Sequence, residues 1–413
     1  MNSFIEQSNF FEGNDPEKLA QDFGTPLYVY NEKILRSRMD AVAKVITKYP
    51  YTANYSVKAN TNIHILKLAL EEGNNCDAMS VGEIQMLLKA GFPKERIFFV
   101  PNNVSEEEMQ FAIDHGIMTS CDSLAQLELY GSLNKGGKVA VRINPGVGAG
   151  HHEKVVTGGK KTKFGISEEF IPQIFEIASK YNLTIAGINQ HIGSLFMDPQ
   201  PYLDAVSNLL RIALQFKDLE FVDFGGGYGI PYHKLDDEKD FPMEDFKKRL
   251  EPILDDFVAK YGRAPLFKSE PGRFCVAEGS VILGRVHAVK HNNGKTFAGT
   301  DIGMNVLVRP SMYDSWHDIE VIREGKVVAR DNLMEQTVTG NICESGDLLA
   351  KDRPLPELKR GDLACVLDTG AYGWSMCSTY NSRPRPAEVL ICKDGSVKLI
   401  RRRETIEDLM RLF

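Results

Sequence analysis

Tyr51-Thr52-Ala53-Asn54-Tyr55-Ser56-Val57-Lys58-Ala59-Asn60 is the stretch from which the fold can be read. Residues 51–57 are β-prone, with aromatic and β-branched side chains that suit a short strand. Ile63, Leu66 and Leu70 then recur at helical spacing until Gly73, so a strand passes through a polar turn into a helix. Lys58 stands at the C-terminal lip of that strand, where rigid backbone can aim it into a cleft. A lysine so held can bond covalently to a carbonyl cofactor. Most lysines are ordinary exposed residues, so the reading of Lys58 depends on what the chain brings beside it.

The same unit repeats outward. Strands are expected near Thr52–Val57, Cys76–Met79, Ile97–Val100, Met118–Cys121, Val139–Ile143, Ile185–Ile192, Phe221–Phe224 and Leu266–Lys268. Helical patterns over Ile63–Glu72, Val81–Ala90, Glu106–His115, Leu124–Leu133, Phe170–Tyr181, Tyr202–Phe216 and Met243–Tyr261 separate most of them. A helix over Asn31–Tyr49, N-capped by Asn31, fills the eighth slot. Strand and helix in alternation imply parallel strands, and eight of them imply a (β/α)8 TIM barrel over residues 31–275. A doubly wound open sheet is the alternative, but no early G-x-G-x-x-G supports it.

Beyond residue 275 the helical rhythm stops. β-prone segments follow over Ser280–Val289, Lys295–Ala298, Asp318–Val321, Gln336–Val338, Leu363–Leu367, Ala387–Cys392 and Ser396–Ile400, with turn signals Asn293-Gly294 and Asp394-Gly395 between them. This predicts a C-terminal β domain over 276–413. Residues 1–30, which end in a strand at Leu27–Tyr30, join it.

Composition narrows the function classes. A chain of 413 residues exceeds one small core, and two domains are expected. A net charge of −7 argues against nucleic-acid or membrane partners. The basic run Arg401-Arg402-Arg403 meets Glu404, Glu407 and Asp408, which suits a solvated helix start. Seven cysteines without a CxxC pair suit free thiols in a reducing cytoplasm. His151-His152 is accompanied by no HExxH and no Cys/His cluster, so no metal site is expected. No run approaches about 20 apolar residues, so no membrane span or signal peptide is expected.

A barrel carries its chemistry at the C-terminal ends of its strands. The polar residues there are Lys58, Asp77, Asn102, Asp122, Arg142, Asn144, His191, Gly225-Gly226-Gly227 and Glu270. Consecutive glycines let backbone N–H groups converge on an anion, though a glycine run also serves as a plain tight turn. In Ser269-Glu270-Pro271-Gly272-Arg273, Glu270 can face a ring nitrogen and Arg273 a phosphate or carboxylate; a surface ion pair is the bland reading. The glycine-rich segment Gly146–Lys163 has the composition of a mobile lid or a disordered loop. Cys343-Glu344 reads either as a small buried thiol or as a proton donor beside a carboxylate. Arg309-Pro310 with Tyr313, and Gly370-Ala371-Tyr372, complete the set.

Six motifs in order carry a resemblance: Tyr55-Ser56-Val57-Lys58-Ala59-Asn60, His191-Ile192-Gly193-Ser194, Gly225-Gly226-Gly227, Glu270-Pro271-Gly272-Arg273, Cys343-Glu344-Ser345 and Tyr380-Asn381-Ser382-Arg383-Pro384-Arg385-Pro386. From about Thr25 onward the chain resembles the pyridoxal-phosphate decarboxylases of the alanine-racemase-like barrel class, most closely the diaminopimelate decarboxylase branch. The resemblance implies pyridoxal 5'-phosphate as cofactor, bound covalently by Lys58. Asp77 and Arg142 would stand near it, His191 would stack on its ring, and Glu270 would pair with its ring nitrogen. Ser194, Gly225, Gly226, Gly227, Gly272, Arg273 and Tyr372 would hold its phosphate. Cys343 would be the general acid, supplied by the second subunit of a homodimer. Arg273, Arg309, Tyr313, Glu344 and Tyr372 would bind substrate.

Charge then points to the substrate. Diaminopimelate carries an amine and a carboxylate at its distal end; Arg309 and Arg273 suit the carboxylate, and Glu344 the amine. The expected reaction is decarboxylation of meso-2,6-diaminopimelate to L-lysine and CO2. Sibling decarboxylases acting on ornithine, carboxynorspermidine or a siderophore precursor are the rival reading, followed by a non-catalytic regulatory homologue and a racemase. Two departures from the family pattern stand out: Leu195 where glutamine is frequent, and Thr339-Gly340-Asn341 where a Gly-Pro is common before the Cys-Glu pair.

Overall fold

The computed structural model describes residues 3–146 and 162–413. Its backbone forms two compact units. One comprises Arg38–Ile230 and Asp240–Cys275; the other comprises the chain up to Ser37, Pro231–Lys239 and Val276–Phe413.

Strand β1 (Leu27–Asn31) belongs to the second unit. The first unit contains β2 (Tyr51–Ser56), β3 (Asn75–Ala78), β4 (Ile97–Phe99), β5 (Met118–Cys121), β6 (Lys138–Asn144), β7 (Ile166–Ser167), β8 (Thr184–Asn189), β9 (Phe221–Asp223) and β10 (Leu266–Ser269). The order β5-β4-β3-β2-β10-β9-β8-β6 closes through pairing of β5 with β6, and the short β7 adds to β6. The pairings are parallel. Eight parallel strands in a closed ring make the expected (β/α)8 barrel. Phe98, Val100, Ala140 and Phe221 form a core cluster, with Met79, Met118 and Leu266 against it.

The connecting helices start where short polar side chains can satisfy free N–H groups. Asn62 caps Ile63–Glu71, Ser80 caps Val81–Ala90, and Ser123 caps Leu124–Leu133. Ser105 and Glu108 form a reciprocal capping box on Glu106–Asp114. Asn31 Oδ1 accepts the N–H of Ile34 at 3.1 Å, as expected of an N-cap. The helix it starts, Glu32–Ala43, stops short of Tyr49; Pro50 disfavours helical backbone at Tyr49 itself but does not account for the end at Ala43.

The second unit is β-rich. Its strands are β1 together with β11 (Ser280–Asn292), β12 (Lys295–Thr300), β13 (Ile319–Arg323), β14 (Lys326–Val327), β15 (Leu333–Thr339), β16 (Leu348–Pro356), β17 (Leu363–Val366), β18 (Ala387–Ile391) and β19 (Val397–Arg401). The main order is β14-β13-β17-β11-β1-β18-β19. β1 lies between an antiparallel β11 and a parallel β18, so the N-terminal strand sits inside the sheet. Leu27, Val29, Val281, Leu283, Leu363, Cys365, Val389 and Ile391 build its core. The helix Pro16–Phe23, capped by Asp15, adds Leu19 and Ala20.

Strand β16 was not expected from sequence. Lys351-Asp352-Arg353-Pro354 reads as polar and proline-broken. Among the described residues it pairs with β15 alone, and such an edge position tolerates proline. All seven cysteines are free thiols. Among the described residues no helix is long and apolar enough to cross a membrane. The segment expected as a lid, Gly146–Lys163, and the His151-His152 pair lie mostly or wholly outside the described residues.

Candidate active site at the barrel rim

Strand β2 ends at Ser56, and Lys58 lies in the 3-10 turn Val57–Ala59 that follows. The turn is tied to the far side of the rim: the Ser56 N–H donates to the Pro271 carbonyl at 3.1 Å. Ser56 Oγ donates to Asp77 Oδ2 at 2.9 Å. Asp77, at the end of β3, is fully buried. Burial pushes its carboxyl up to about 7, against the opposing pull of Lys58 and Ser56. Among the described residues Asp77 Oδ1 has no hydrogen-bond partner. Glu83, half-buried in the next helix, also feels Lys58; burial raises it while the Met79 N–H and Lys58 draw it down.

Three segments meet at the glycine turn. The Gly226 N–H donates to His191 Nδ1 at 3.2 Å, and the Glu270 N–H donates to the Gly225 carbonyl at 2.9 Å. A Cβ at Gly225 would stand 2.2 Å from the Gln190 carbonyl oxygen, and one at Gly227 would stand 2.4 Å from the Phe196 ring. Gly225 and Gly227 also have positive φ, at 75° and 123°, so both space and conformation demand glycine. His191 lies just past β8, and its imidazole is held well below the usual range by burial first, then by the Lys58 and Arg142 charges. It is therefore a neutral ring, with Nδ1 accepting.

Glu270 follows β10. Its side chain is buried, and Oε1 has no hydrogen-bond partner among the described residues. Burial, then the charges of Asp223 and Asp77, push its carboxyl well above the usual range, against Lys58 and Arg142. Arg142 on β6 is buried, 3.8 Å from Asp122 and 4.6 Å over the Phe164 ring. Asp122 in turn accepts from the Gly165 N–H at 2.8 Å and from Asn102. Arg273, buried, donates to Ser194 Oγ at 3.0 Å. Gly272 packs against Ser56, where a Cβ would come within 3.0 Å of the serine Cβ. Leu195, beside Ser194, has φ of 67°, a left-handed conformation uncommon for a non-glycine residue.

The barrel rim thus gathers Lys58, Asp77, Arg142, His191, Ser194, Gly225, Gly226, Gly227, Glu270, Gly272 and Arg273. Sequence reasoning missed Asp223, Lys268 and Glu83. Asp223 Oδ1 accepts the Gly225 N–H at 2.9 Å and Oδ2 accepts from Asn54 at 3.1 Å. Burial raises Asp223 to about 6, opposed by Gly225, Lys268 and Asn54. Lys268 is buried 3.8 Å from the centre of the Phe221 ring. The available signal was a charged residue inside an otherwise apolar barrel strand.

The remaining expected residues lie in the β-rich unit. Arg309 and Tyr313 begin and end one helical turn. Cys343 is exposed, its N–H bonded to Asn381 Oδ1 at 2.8 Å. Glu344 is exposed and accepts from the Tyr380 hydroxyl at 3.4 Å. Asp347 pins their loop by accepting the N–H groups of Ile342 and Met304 at 2.7 and 2.6 Å. Tyr372 is half-buried, with φ of 57°.

An amine at a strand end, a glycine cradle and a buried, unpartnered carboxylate oxygen on one barrel rim fit a phosphate-bearing aromatic aldehyde. They define a pyridoxal-dependent barrel enzyme. Residues 32–277 match the model of the pyridoxal-dependent decarboxylases, pyridoxal binding domain. The chain is 41% identical over 408 residues to a diaminopimelate decarboxylase of Methanothermobacter thermautotrophicus, covering 97% of this chain and 94% of that protein. A crystal structure of a diaminopimelate decarboxylase superposes with a TM-score of 0.89 at 34% identity, over 96% of this chain and 95% of that one. The Helicobacter pylori diaminopimelate decarboxylase complexed with L-lysine gives 0.87 at 33%, over 96% and 98%. The chain belongs to the pyridoxal-dependent decarboxylase family, within its diaminopimelate decarboxylase branch, and its cofactor is pyridoxal phosphate.

Proposed function

We propose that this chain removes CO2 from meso-2,6-diaminopimelate to give L-lysine, using the barrel rim as its cofactor site. The observation that carries the reading is Glu270, whose buried Oε1 has no partner among the described residues and lies in the field of Lys58. When bound, the pyridoxal ring supplies a sink for the electron pair left as CO2 departs.

The chain's residues supply the rest. Lys58 would hold the cofactor covalently through its side-chain amine. Glu270, its carboxyl raised by burial, carries a proton that it can share with the ring nitrogen. His191, kept neutral by burial and by the Lys58 and Arg142 charges, would pack on the ring without competing for charge. Gly225–Gly227, Gly272, Arg273, Ser194 and Tyr372 would hold the phosphate, while Asp77 lies in the field of Lys58 and Arg142 in that of Asp77 and Glu270. Cys343 delivers a proton to the carbon that has lost CO2. Its exposure suits delivery from a second copy of the chain, so we read the working form as a homodimer. Arg309, Arg273, Tyr313, Tyr372 and Glu344 meet the distal end of the substrate.

The substrate assignment is supported by full-length relatives named for diaminopimelate and by the buried guanidinium of Arg309, suited to a carboxylate. Seven free thiols support a cytoplasmic location. We take the barrel domain as 31–275, apart from residues 31–37 and Pro231–Lys239, which group with the β-rich unit, and the β domain as 276–413 with residues 1–30. Steady-state rates on diaminopimelate, ornithine, lysine and carboxynorspermidine test the function. Diaminopimelate should have the highest kcat/KM; any other winner overturns the substrate.

A further inference from the structure

We propose that His317 is the positioning residue for Arg309, and that through it the enzyme selects ligands whose distal end carries a carboxylate. The inference rests on the reading of Arg309 as the partner of that carboxylate.

The geometry is internal to the β-rich unit. Arg309 is 2% exposed and His317 1%. Arg309 Nε donates to His317 Nε2 at 3.3 Å, and its Nη2 donates to Ser315 Oγ at 3.2 Å. On the opposite edge of the imidazole, Nδ1 lies 2.8 Å from the Leu367 carbonyl oxygen. A carbonyl oxygen only accepts, so Nδ1 carries the proton. That fixes the tautomer and leaves the Nε2 lone pair facing Arg309, which has no lone pair of its own to offer. The ring is clamped as well. Tyr232 packs edge-on against it at 5.2 Å, and the Arg309 guanidinium lies 5.2 Å over the same Tyr232 ring. Arg353 Nη2 donates to the His317 backbone carbonyl at 3.1 Å, which pins the histidine from behind.

The choice of partner matters. A carboxylate on Nε of Arg309 would orient the guanidinium but also cancel its charge. A neutral imidazole orients it and cancels nothing. His317 thus turns the planar fork of Arg309 in one direction before the ligand arrives, without itself adding a negative charge. His317 touches neither substrate nor cofactor in this scheme; it acts through Arg309.

Two substitutions separate the edges of the ring. His317→Asn retains an N–H for the Leu367 carbonyl but offers nothing at the Nε2 position. His317→Gln reaches that position with an amide oxygen. With diaminopimelate, His317→Asn should raise KM at least about tenfold while kcat falls less than about threefold, and His317→Gln should restore KM to within about threefold. Binding of L-lysine, which keeps the distal carboxylate, should weaken in His317→Asn; binding of cadaverine, a diamine without one, should not. Cofactor affinity and thermal midpoint serve as folding controls. Unchanged KM and L-lysine affinity in His317→Asn overturn the proposal. So do equal losses of kcat and cofactor affinity in both variants, which mark a merely structural role. Arg309→Gln distinguishes the two readings. If it raises KM and His317→Asn does not, His317 alone is overturned. If it leaves KM unchanged, the reading of Arg309 fails and this inference falls with it.

Discussion

Gly226 approaches Glu270 so closely that a Cβ on the glycine would stand 1.9 Å from the glutamate's carbonyl oxygen. The obstruction is backbone against backbone, with no flexible side chain to move aside. Gly226→Ala must therefore displace either the glycine turn or the loop that carries Glu270. We expect a stability loss of about 1–3 kcal/mol, as for overpacking, and at least a tenfold loss of cofactor affinity. Denaturant unfolding and a pyridoxal phosphate titration would measure both. A variant that binds cofactor as the wild type does removes the glycine turn from the cofactor site.

Glu270→Gln removes the ionisable group while keeping its shape. The buried carboxyl is raised by desolvation and by Asp223 and Asp77, so the native residue enters the site able to carry a proton. An amide cannot exchange one. Cofactor binding should survive within about tenfold while kcat falls by roughly 10²-fold or more. Single-turnover rates with cofactor saturating would show it. Full activity would end the proposed role of Glu270 at the ring nitrogen.

Much of the barrel is legible because one pattern repeats. Each strand is short and apolar, and several helices announce themselves by Ser or Asn caps such as Ser80, Ser105 and Ser123. Lys58, His191 and Glu270 are legible because a barrel rim is a place that sequence order can name. What escapes is interior chemistry. Asp223 and Lys268 read as strand residues, and only the closed ring shows them buried with Asn54. β16 escapes because local propensity, with Pro354 and Pro356, contradicts a strand that pairing with β15 imposes. His317 escapes for a similar reason: Leu367, which fixes its tautomer, lies fifty residues away.

Three buried aspartates predict an unusual pH slope. Folding raises Asp77 to about 7, Asp223 to about 6 and Asp368 to about 7, from an unfolded value near 4. The folded state therefore holds protons that the unfolded chain has released. This stability is present in full below about pH 4 and is lost as pH rises through about 7. The cofactor-free protein should become easier to unfold in urea between about pH 5 and pH 8. Asp77→Asn removes one such proton and should flatten the slope by up to about 1.4 kcal/mol for each pH unit between about 4 and 7. A slope identical to that of the wild type would exclude Asp77 as a source.

The division of labour between Lys58 and Cys343 gives the last prediction. Lys58 stands on the barrel rim, whereas Cys343 is an exposed thiol on the Gly340–Asp347 loop of the β-rich unit. If the acid comes from a second copy, Lys58→Ala and Cys343→Ala each spoil both sites of their own homodimer. A mixed dimer behaves differently. One of its sites receives both damaged residues, and the other receives an intact Lys58 and an intact Cys343. Mixing equal amounts of the two variants under conditions that exchange subunits should restore roughly one quarter of wild-type kcat. The expectation follows because half the dimers are mixed and each carries one sound site. Sedimentation would verify the dimer, and activity after mixing would be compared with each variant alone. No recovery despite demonstrated exchange would place Lys58 and Cys343 in the same chain's site, or remove Cys343 from proton delivery if its single variant keeps near-normal kcat.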